Sequence, residues 1–521
     1  MRVQWNRLVQ LWESAQVELH GKYSTERVLQ LAKYTRETSY LHAFIVLVVT
    51  PLPCLVVTVL VDVIPLADPS KGVAANTLFF VRDQLITYVL TFICINQFRV
   101  SLPVLPYPIY KAFWHSVWIS GLSMGALYTL SSTIGFPFPF SLMVVTPTWV
   151  TLISISMAYE WLKKIRETPG APAMVGNVIK VWMCQVILEF IYPPYYYIFS
   201  TLPDRAQTVF AILLPVIKLT MRNVFARTVV HLSDEMPEVI LFNVELFNAL
   251  FVSYCMQNSP SIWTTLELML IDIGMIIFSL RDMEKARVGL KDLERRIEED
   301  KRWNDYCKSI GYSTENRAVT TLERTRILLE QQHKPDAKVT SKEKTTTALS
   351  KPKSSSSRYS AVVVPTSEAV ENVMKKVSVK VRYTHKVQQL LYMAEFLLLL
   401  NYVEIVIPLV FSIYLGVMYE LPNRRYYAQL EGMNQDQLFL TLKNVLFYCS
   451  LQFISLVLLI LTLRRKLGLS PTRQLAFVLE KQFTGIQIKL VFWVFYNVQA
   501  SLKHAGFDYT FEFAWLNQDT K

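Results

Sequence analysis

The residues of this chain best placed to do chemistry are acids that stand inside long apolar runs. Asp83, Glu189, Glu245, Asp272 and Glu404 each lie in a stretch otherwise dominated by Leu, Ile, Val, Phe and Tyr. Ionisable groups at membrane depth are costly, so by default they mark an ion path, a proton relay or a buried pair. Asp83, Thr87 and Thr91 recur at steps of four and share one helical face. Gln185 and Glu189 are spaced the same way, and Pro193-Pro194 downstream predicts a kink that frees backbone carbonyls as further ligands. Glu245 with Asn248, Glu267 with Asp272, and Glu395 with Asn401 and Glu404 extend the set. The chemistry implied is binding of a cation or relay of protons in a cavity, with Glu189, Glu245 and Glu404 nearest mid-span. The competing reading is that acids near span ends are solvated and that Arg82 forms a buried pair with its neighbour Asp83. On this count acids outnumber bases at membrane depth.

Nothing else in the chain has catalytic spacing. His20, His42, His115, His231, His333, His385 and His504 are scattered without an H-E-x-x-H arrangement, and the cysteines include no C-x-x-C pair. There is no phosphate-binding G-x-x-x-x-G-K-[ST] loop, no dinucleotide loop and no G-x-S-x-G elbow. The expectation is no enzyme, no catalytic metal and no cofactor.

The elements that must position the acids follow from composition. With 52% hydrophobic and only 18% charged residues, and a mean hydropathy of +0.28, the chain is too apolar for water. The net charge of +12 would point to nucleic acid in a soluble protein. In a membrane protein, Lys and Arg collect in cytosolic loops, and nucleic acid is discounted.

A span needs about 20 apolar residues to cross roughly 30 Å of hydrocarbon. Ten runs qualify: Leu41 to Ile64, Thr77 to Phe98, Ala112 to Ile134, Ser141 to Leu162, Met174 to Phe199, Ala206 to Met221, Pro237 to Met256, Ser261 to Leu280, Leu390 to Met418 and Leu438 to Leu463. The third and fourth join through the aromatic, proline-rich turn Gly135 to Phe140 as a membrane hairpin. In the third, Gly121 and Gly125 permit close helix packing. The sixth run is short and could instead lie in the interface. Placing the N-terminus inside puts Lys and Arg of residues 1–39, Arg99, Lys111, Lys163, Lys164, Arg166, Arg222, Arg227 and the insert on the cytosolic side, and this balance favours keeping the sixth run as a span.

The expected fold is therefore all-α, a polytopic bundle of about ten spans with a partly disordered cytosolic insert. Its parts are a cytosolic segment 1–39, about eight spans in 40–281, the insert 282–387, two spans in 388–463 and a tail 464–521. In the insert, Met283, Ala286, Leu290, Leu293 and Ile297 extend the eighth span as an amphipathic helix, too short to establish a coiled coil. Lys334 to Tyr359, around Ser354 to Ser357, has the composition of disorder, and Thr366 or Ser367 would cap a helix leading into the ninth span. Gln474 to Gln499 is either an eleventh span or a helix lying on the membrane. Glu480, Lys481 and Lys489 cut its clean apolar run to under about 15 residues, which favours the surface reading.

Tyr23-Ser24-Thr25-Glu26-Arg27-Val28, Tyr34 to Ser39, Thr50-Pro51-Leu52-Pro53, Ile64-Pro65-Leu66, Asp68-Pro69, Gly72, Ala75-Asn76 and Arg82 resemble a family of multi-pass membrane proteins of oomycetes. His504 to Tyr509 carries a fainter likeness. That family has no assigned activity, so the resemblance implies membrane residence and no chemistry. The functional expectation is a transporter or channel for a cation or small solute. The rival is a membrane scaffold or signalling protein that recruits a cytosolic partner or anionic lipid through 282–387. Substrate, oligomeric state and the particular membrane are not legible in these residues.

Overall fold

The computed structural model describes residues 16–19, 21–203, 206, 207, 210, 213–232, 234–258, 262–299, 303, 320–333, 378–428, 430–507 and 515. Every regular element among them is a helix. Helix α1 (Thr25–Glu37) starts where the Ser24 side chain accepts the Arg27 amide, a standard way to satisfy an open helix end. The first apolar run is two helices, α2 (Tyr40–Val49) and α3 (Leu52–Asp62). Pro51 and Pro53 lack the amide hydrogen that would continue the ladder. Next come α4 (Thr77–Ser101), α5 (Ile109–Thr133), α6 (Ser141–Glu167) and α7 (Ala171–Thr201).

The turn between α5 and α6 buries its aromatics. Phe136 packs against Phe79 and Phe80 at ring separations of 5.5 and 5.7 Å. Gly135 admits the Trp515 indole, whose ring occupies the space a Cβ would take. The close face of α5 is formed by Ala112, Ser116, Ser120 and Ser123, with Gln84 of α4 hydrogen-bonded to Ser120 at 2.9 Å. Gly121 and Gly125 are on the exposed side, where a Cβ at Gly125 would meet nothing within 4 Å. Serine replaces glycine as the packing residue because its hydroxyl folds back on its own helix, as Ser116 does onto Ala112 O at 2.6 Å.

The second half comprises α8 (Leu213–Thr228), α9 (Met236–Ile240), a π-helical turn (Leu241–Glu245), α10 (Leu246–Asn258), α11 (Ile262–Glu298), α12 (Thr321–His333), α13 (Val379–Glu420), α14 (Gln435–Leu467), α15 (Pro471–Lys481) and α16 (Phe483–Ala500). Helix α13 is apolar on every side, a pattern that fits only an interior position. In its most apolar stretch 83% of residues are buried within the protein, against 22% for Tyr40–Asp62. It is the axis, and α2, α3 and α4 belong to the shell around it. Helix α11 continues past its apolar run, and Met283, Leu290, Leu293 and Ile297 are buried. Its charged side holds α12 and α13: Arg324 reaches Glu294 at 3.0 Å, and Tyr383 donates to Glu294 at 3.0 Å. Residues 334–377, with the Ser354 to Ser357 run and the expected cap at Thr366 or Ser367, lie outside the described residues.

Among the described residues, six stretches are long and apolar enough to cross a membrane: Tyr40–Asp62, Val73–Ser101, Ser141–Glu167, Ala171–Ile191, Val379–Glu420 and Gln435–Arg465. These make the chain an all-helical integral membrane protein, with fewer such helices than the ten expected. Helix α8 is described over Leu213–Thr228, and Ala206, Gln207 and Phe210 ahead of it are helical as well. The expected seventh span is one continuous helical stretch, α9, the π turn and α10, from Met236 to Asn258.

The stretch 474–499, expected as a surface helix or an eleventh span, forms the two helices α15 and α16, packed within the protein. Arg473 donates to Thr35 O, Glu480 pairs with His42, Gln487 donates to Thr50 O, and His504 bonds Ala67 O, at sequence separations of 438, 438, 437 and 437. A constant offset means that α15 and α16 run parallel to α2 and α3 along their whole length. Helix α16 thus passes through the bundle, with Ile486, Leu490, Trp493, Val494 and Phe495 buried. Its charges do not disqualify it, because Lys489 is paired inside the protein. Its end meets the loops opposite α1, where Leu502 bridges Tyr427 and Ala505 O accepts from Ser141 at 3.0 Å.

In that corner His504 is buried between Ala67 O at 2.9 Å and Asn76 Oδ1 at 3.1 Å. Burial lowers it from the ordinary 6.5 to about 4. A folded-state value below the unfolded one means the unfolded chain takes up the proton first. Stability is full above 6.5 and is lost as pH falls toward about 4, by roughly 3 kcal/mol at most. Unfolding measured across that window should show this slope, and His504→Gln should flatten it. An unchanged slope in the variant would refute the assignment.

Candidate functional site

The interior acids are held in a network of ion pairs around α13. Helix α8 places Lys218 and Arg222 one turn apart on one face. The π turn brings Glu245 to them from the next helix: the Lys218 ammonium lies 2.9 Å from Glu245 Oε2 and 3.1 Å from Glu404 Oε1 of α13. Arg222 Nε holds the other Glu245 oxygen, and its guanidinium lies over the Phe396 ring. Lys218, Arg222, Glu245 and Glu404 are all at least 95% buried. The cluster is electrically neutral, with two cations and two carboxylates.

Why the helix is π-wound here follows from what it serves. An extra residue in a turn re-aims the side chains beside it, and such turns concentrate at functional sites. Asn243 in the same turn accepts from Gln185 at 2.8 Å and from Trp493 at 3.1 Å, and donates to Val239 O at 2.6 Å. Asn243 thereby ties α7, α16 and its own helix together, two residues from Glu245.

Further pairs complete the interior. Arg27 of α1 holds both Glu395 oxygens, at 2.8 and 2.9 Å, and Tyr23 donates to the same carboxylate. Lys489 of α16 meets Glu238 of α9 at 2.6 Å. Asp62, at the end of α3, accepts from Arg82 and Tyr427 on one oxygen and from Tyr414 on the other. In each case a charge in a low-dielectric setting has a counter-charge and a hydrogen bond, the condition under which burial is tolerated.

Several expectations change. The partner of Arg82 is Asp62, not Asp83, because adjacent residues on a helix point in different directions and Arg82 turns toward the end of α3. Arg222 is a core cation, not an anchor in a cytosolic loop. Acids do not exceed bases in this network, since Arg27, Arg82, Lys218, Arg222 and Lys489 all come inside. Glu245 and Glu404 do meet, through Lys218. Glu189 is not in the cluster: it lies on α7 one turn from Gln185, and among the described residues its carboxyl makes no hydrogen bond or ion pair. Asp83 is likewise buried without such a partner. The Asp272 side chain lies outside the described residues.

Asp62, Glu238, Lys218, Lys489, Tyr414 and Tyr427 were not singled out as site residues by sequence reasoning. The available signal was the presence of bases in the short sixth run and in 474–499, which marks pairing as readily as it marks an interface. No protein-family model matches the chain, no curated protein matches its sequence, and no solved structure matches its fold.

Proposed function

We propose that this protein is a membrane transporter for a small cation, with Lys218, Glu245 and Glu404 at its binding site. One observation carries the reading: a lysine ammonium sits between carboxylates from two separate helices, beside a π-helical turn. Oxygens that coordinate an ammonium at 2.9 and 3.1 Å suit an unhydrated monovalent cation, for which Lys218 acts as the resident substitute. Entry of the cation requires Lys218 to withdraw or give up its proton, and the π turn is the part of the helix with the least regular hydrogen bonding. Arg222 stays on Glu245 throughout and limits how much charge the site can gain. The resemblance to the oomycete family adds membrane residence to this proposal and no substrate.

The test is cation flux into proteoliposomes. The wild type should carry a monovalent cation, and Glu245→Gln should lower that flux at least about tenfold, a loss of about 1.4 kcal/mol or more in binding. A folded wild type that carries none of the alkali cations would end this reading. The alternative, a non-transporting scaffold that recruits partners through 282–387, is favoured by the pairing of each interior cation with an acid. It predicts that same null flux together with full stability.

A further inference from the structure

Among the described residues the ion-pair network leaves Glu189 and Asp83 over, two buried acids along one polar stripe. Glu189 is 8% exposed and Asp83 4% exposed. Among the described residues neither carboxyl accepts a hydrogen bond or faces an ion-pair partner, in contrast to Asp62, Glu238, Glu245, Glu395 and Glu404. An isolated carboxylate in such surroundings costs several kcal/mol, and the group escapes that cost by holding a proton.

The stripe is built by helix periodicity. On α4, Asp83, Thr87, Thr91, Cys94 and Gln97 fall on one side of the helix. Fourteen residues at 1.5 Å each carry it through about 21 Å, most of the roughly 30 Å hydrocarbon thickness. Helix α7 faces its inner end: Gln97 lies 3.5 Å from Gln185, and Cys94 lies within electrostatic reach of Glu189. Trp149 of α6 donates to Thr91 at 2.8 Å and fixes that hydroxyl. Tyr496 of α16 bonds the Glu189 backbone carbonyl at 2.8 Å, leaving the carboxyl alone. The charged group nearest Asp83 is Arg82, already committed to Asp62 and Tyr427. Among the described residues no charged group faces Glu189, and Cys94 is its titratable neighbour.

We infer that Glu189 is a proton-binding site in the membrane interior and that Asp83 is the second proton carrier on the same stripe, apart from the Lys218 cluster. This assignment stands without the cation-transport reading. If both hold, the proton is the coupling ion.

A hydrophobic carbodiimide tests it on the full-length protein. A neutral carboxylic acid adds across one C=N bond, its proton going to nitrogen and its oxygen to the central carbon. The acyl group then shifts from oxygen to nitrogen and leaves a stable N-acylurea, with no other reactant consumed. Mass spectrometry of wild-type protein in detergent should find this adduct on Glu189, declining as pH is raised, with Glu245 and Glu404 unmodified as paired controls. Equal labelling of Glu245 or Glu404, or labelling of Glu189 that ignores pH, would overturn the proposal. Failure of the reagent to reach the site is covered by infrared difference spectra of wild type against Glu189→Gln and Asp83→Asn. Each variant should lose a protonated-carboxyl C=O band, and loss of carboxylate bands alone refutes the assignment. Absent cation flux with intact Glu189 labelling would dismiss the transport reading and leave this one in place. The converse result would do the reverse.

Discussion

Lys218→Met is expected to destabilise the protein by about 3–5 kcal/mol, the cost typical of leaving a buried charge without its partner. Lys218 bridges Glu404 and Glu245, and Glu245 is held by Arg222 as well. The loss should therefore be carried mostly by Glu404. Methionine matches the length of the lysine stem, so cavity formation contributes little. Adding Glu404→Gln to Lys218→Met should recover most of the lost stability, since the orphaned charge is gone. Denaturant unfolding in detergent, followed by tryptophan fluorescence, measures both variants. Equal stabilities for wild type and Lys218→Met would show that the ion pair does not form as described. A double variant no better than the single would place the cost in packing and not in charge.

Arg82→Gln should have an effect of similar size, about 3–5 kcal/mol. Arg82 and Asp62 are respectively 1% and 0% exposed, so water cannot replace either partner. Asp62 also anchors Tyr414 and Tyr427 at 2.6 Å each, and Asn423 donates to the Asp62 and Ile64 carbonyls at 2.8 and 2.7 Å. An unpaired Asp62 would loosen the corner where α3, α4, α13 and the loop after α13 meet. Limited proteolysis of folded protein should then cut 64–76 and 421–430 faster in the variant, and Arg82→Gln with Asp62→Asn should restore resistance. Unchanged cleavage and unchanged unfolding would dismiss the clasp.

These effects bear on function through rigidity. A site made of Lys218, Glu245 and Glu404 can exchange its resident ammonium only if the surrounding helices stay registered while the π turn adjusts. Along α13 the Arg27 pair at Glu395 and the Asp62 clasp at Tyr414 flank the cluster at Glu404.

Much of the helical framework is legible from local composition. The breaks at Pro51 and Pro53 follow from missing amides, and the turn at Gly135 to Phe140 follows from proline and aromatic residues without charge. The span count is less legible, because hydropathy registers how apolar a run is and not what lies beside it. Helix α13 and helix α2 are both strongly apolar, yet one is the axis and the other part of the shell. Lys489 reads as a breaker of the last run, and becomes an interior residue only when Glu238 arrives beside it.

Sequence by itself determined the solvent of this protein, its all-helical class and the acids that had to be explained, since these depend on residue type and on periods of a few residues. Tertiary structure alone decided which acids are satisfied. Lys218 finds Glu404 across 186 residues, Lys489 finds Glu238 across 251, and Arg27 finds Glu395 across 368. Such pairings arise from the packing of whole helices around α13, and a Coulomb interaction depends on distance in space, not along the chain. Among the described residues the same packing leaves Glu189 and Asp83 unpaired, which no window of local sequence could distinguish from the acids that are.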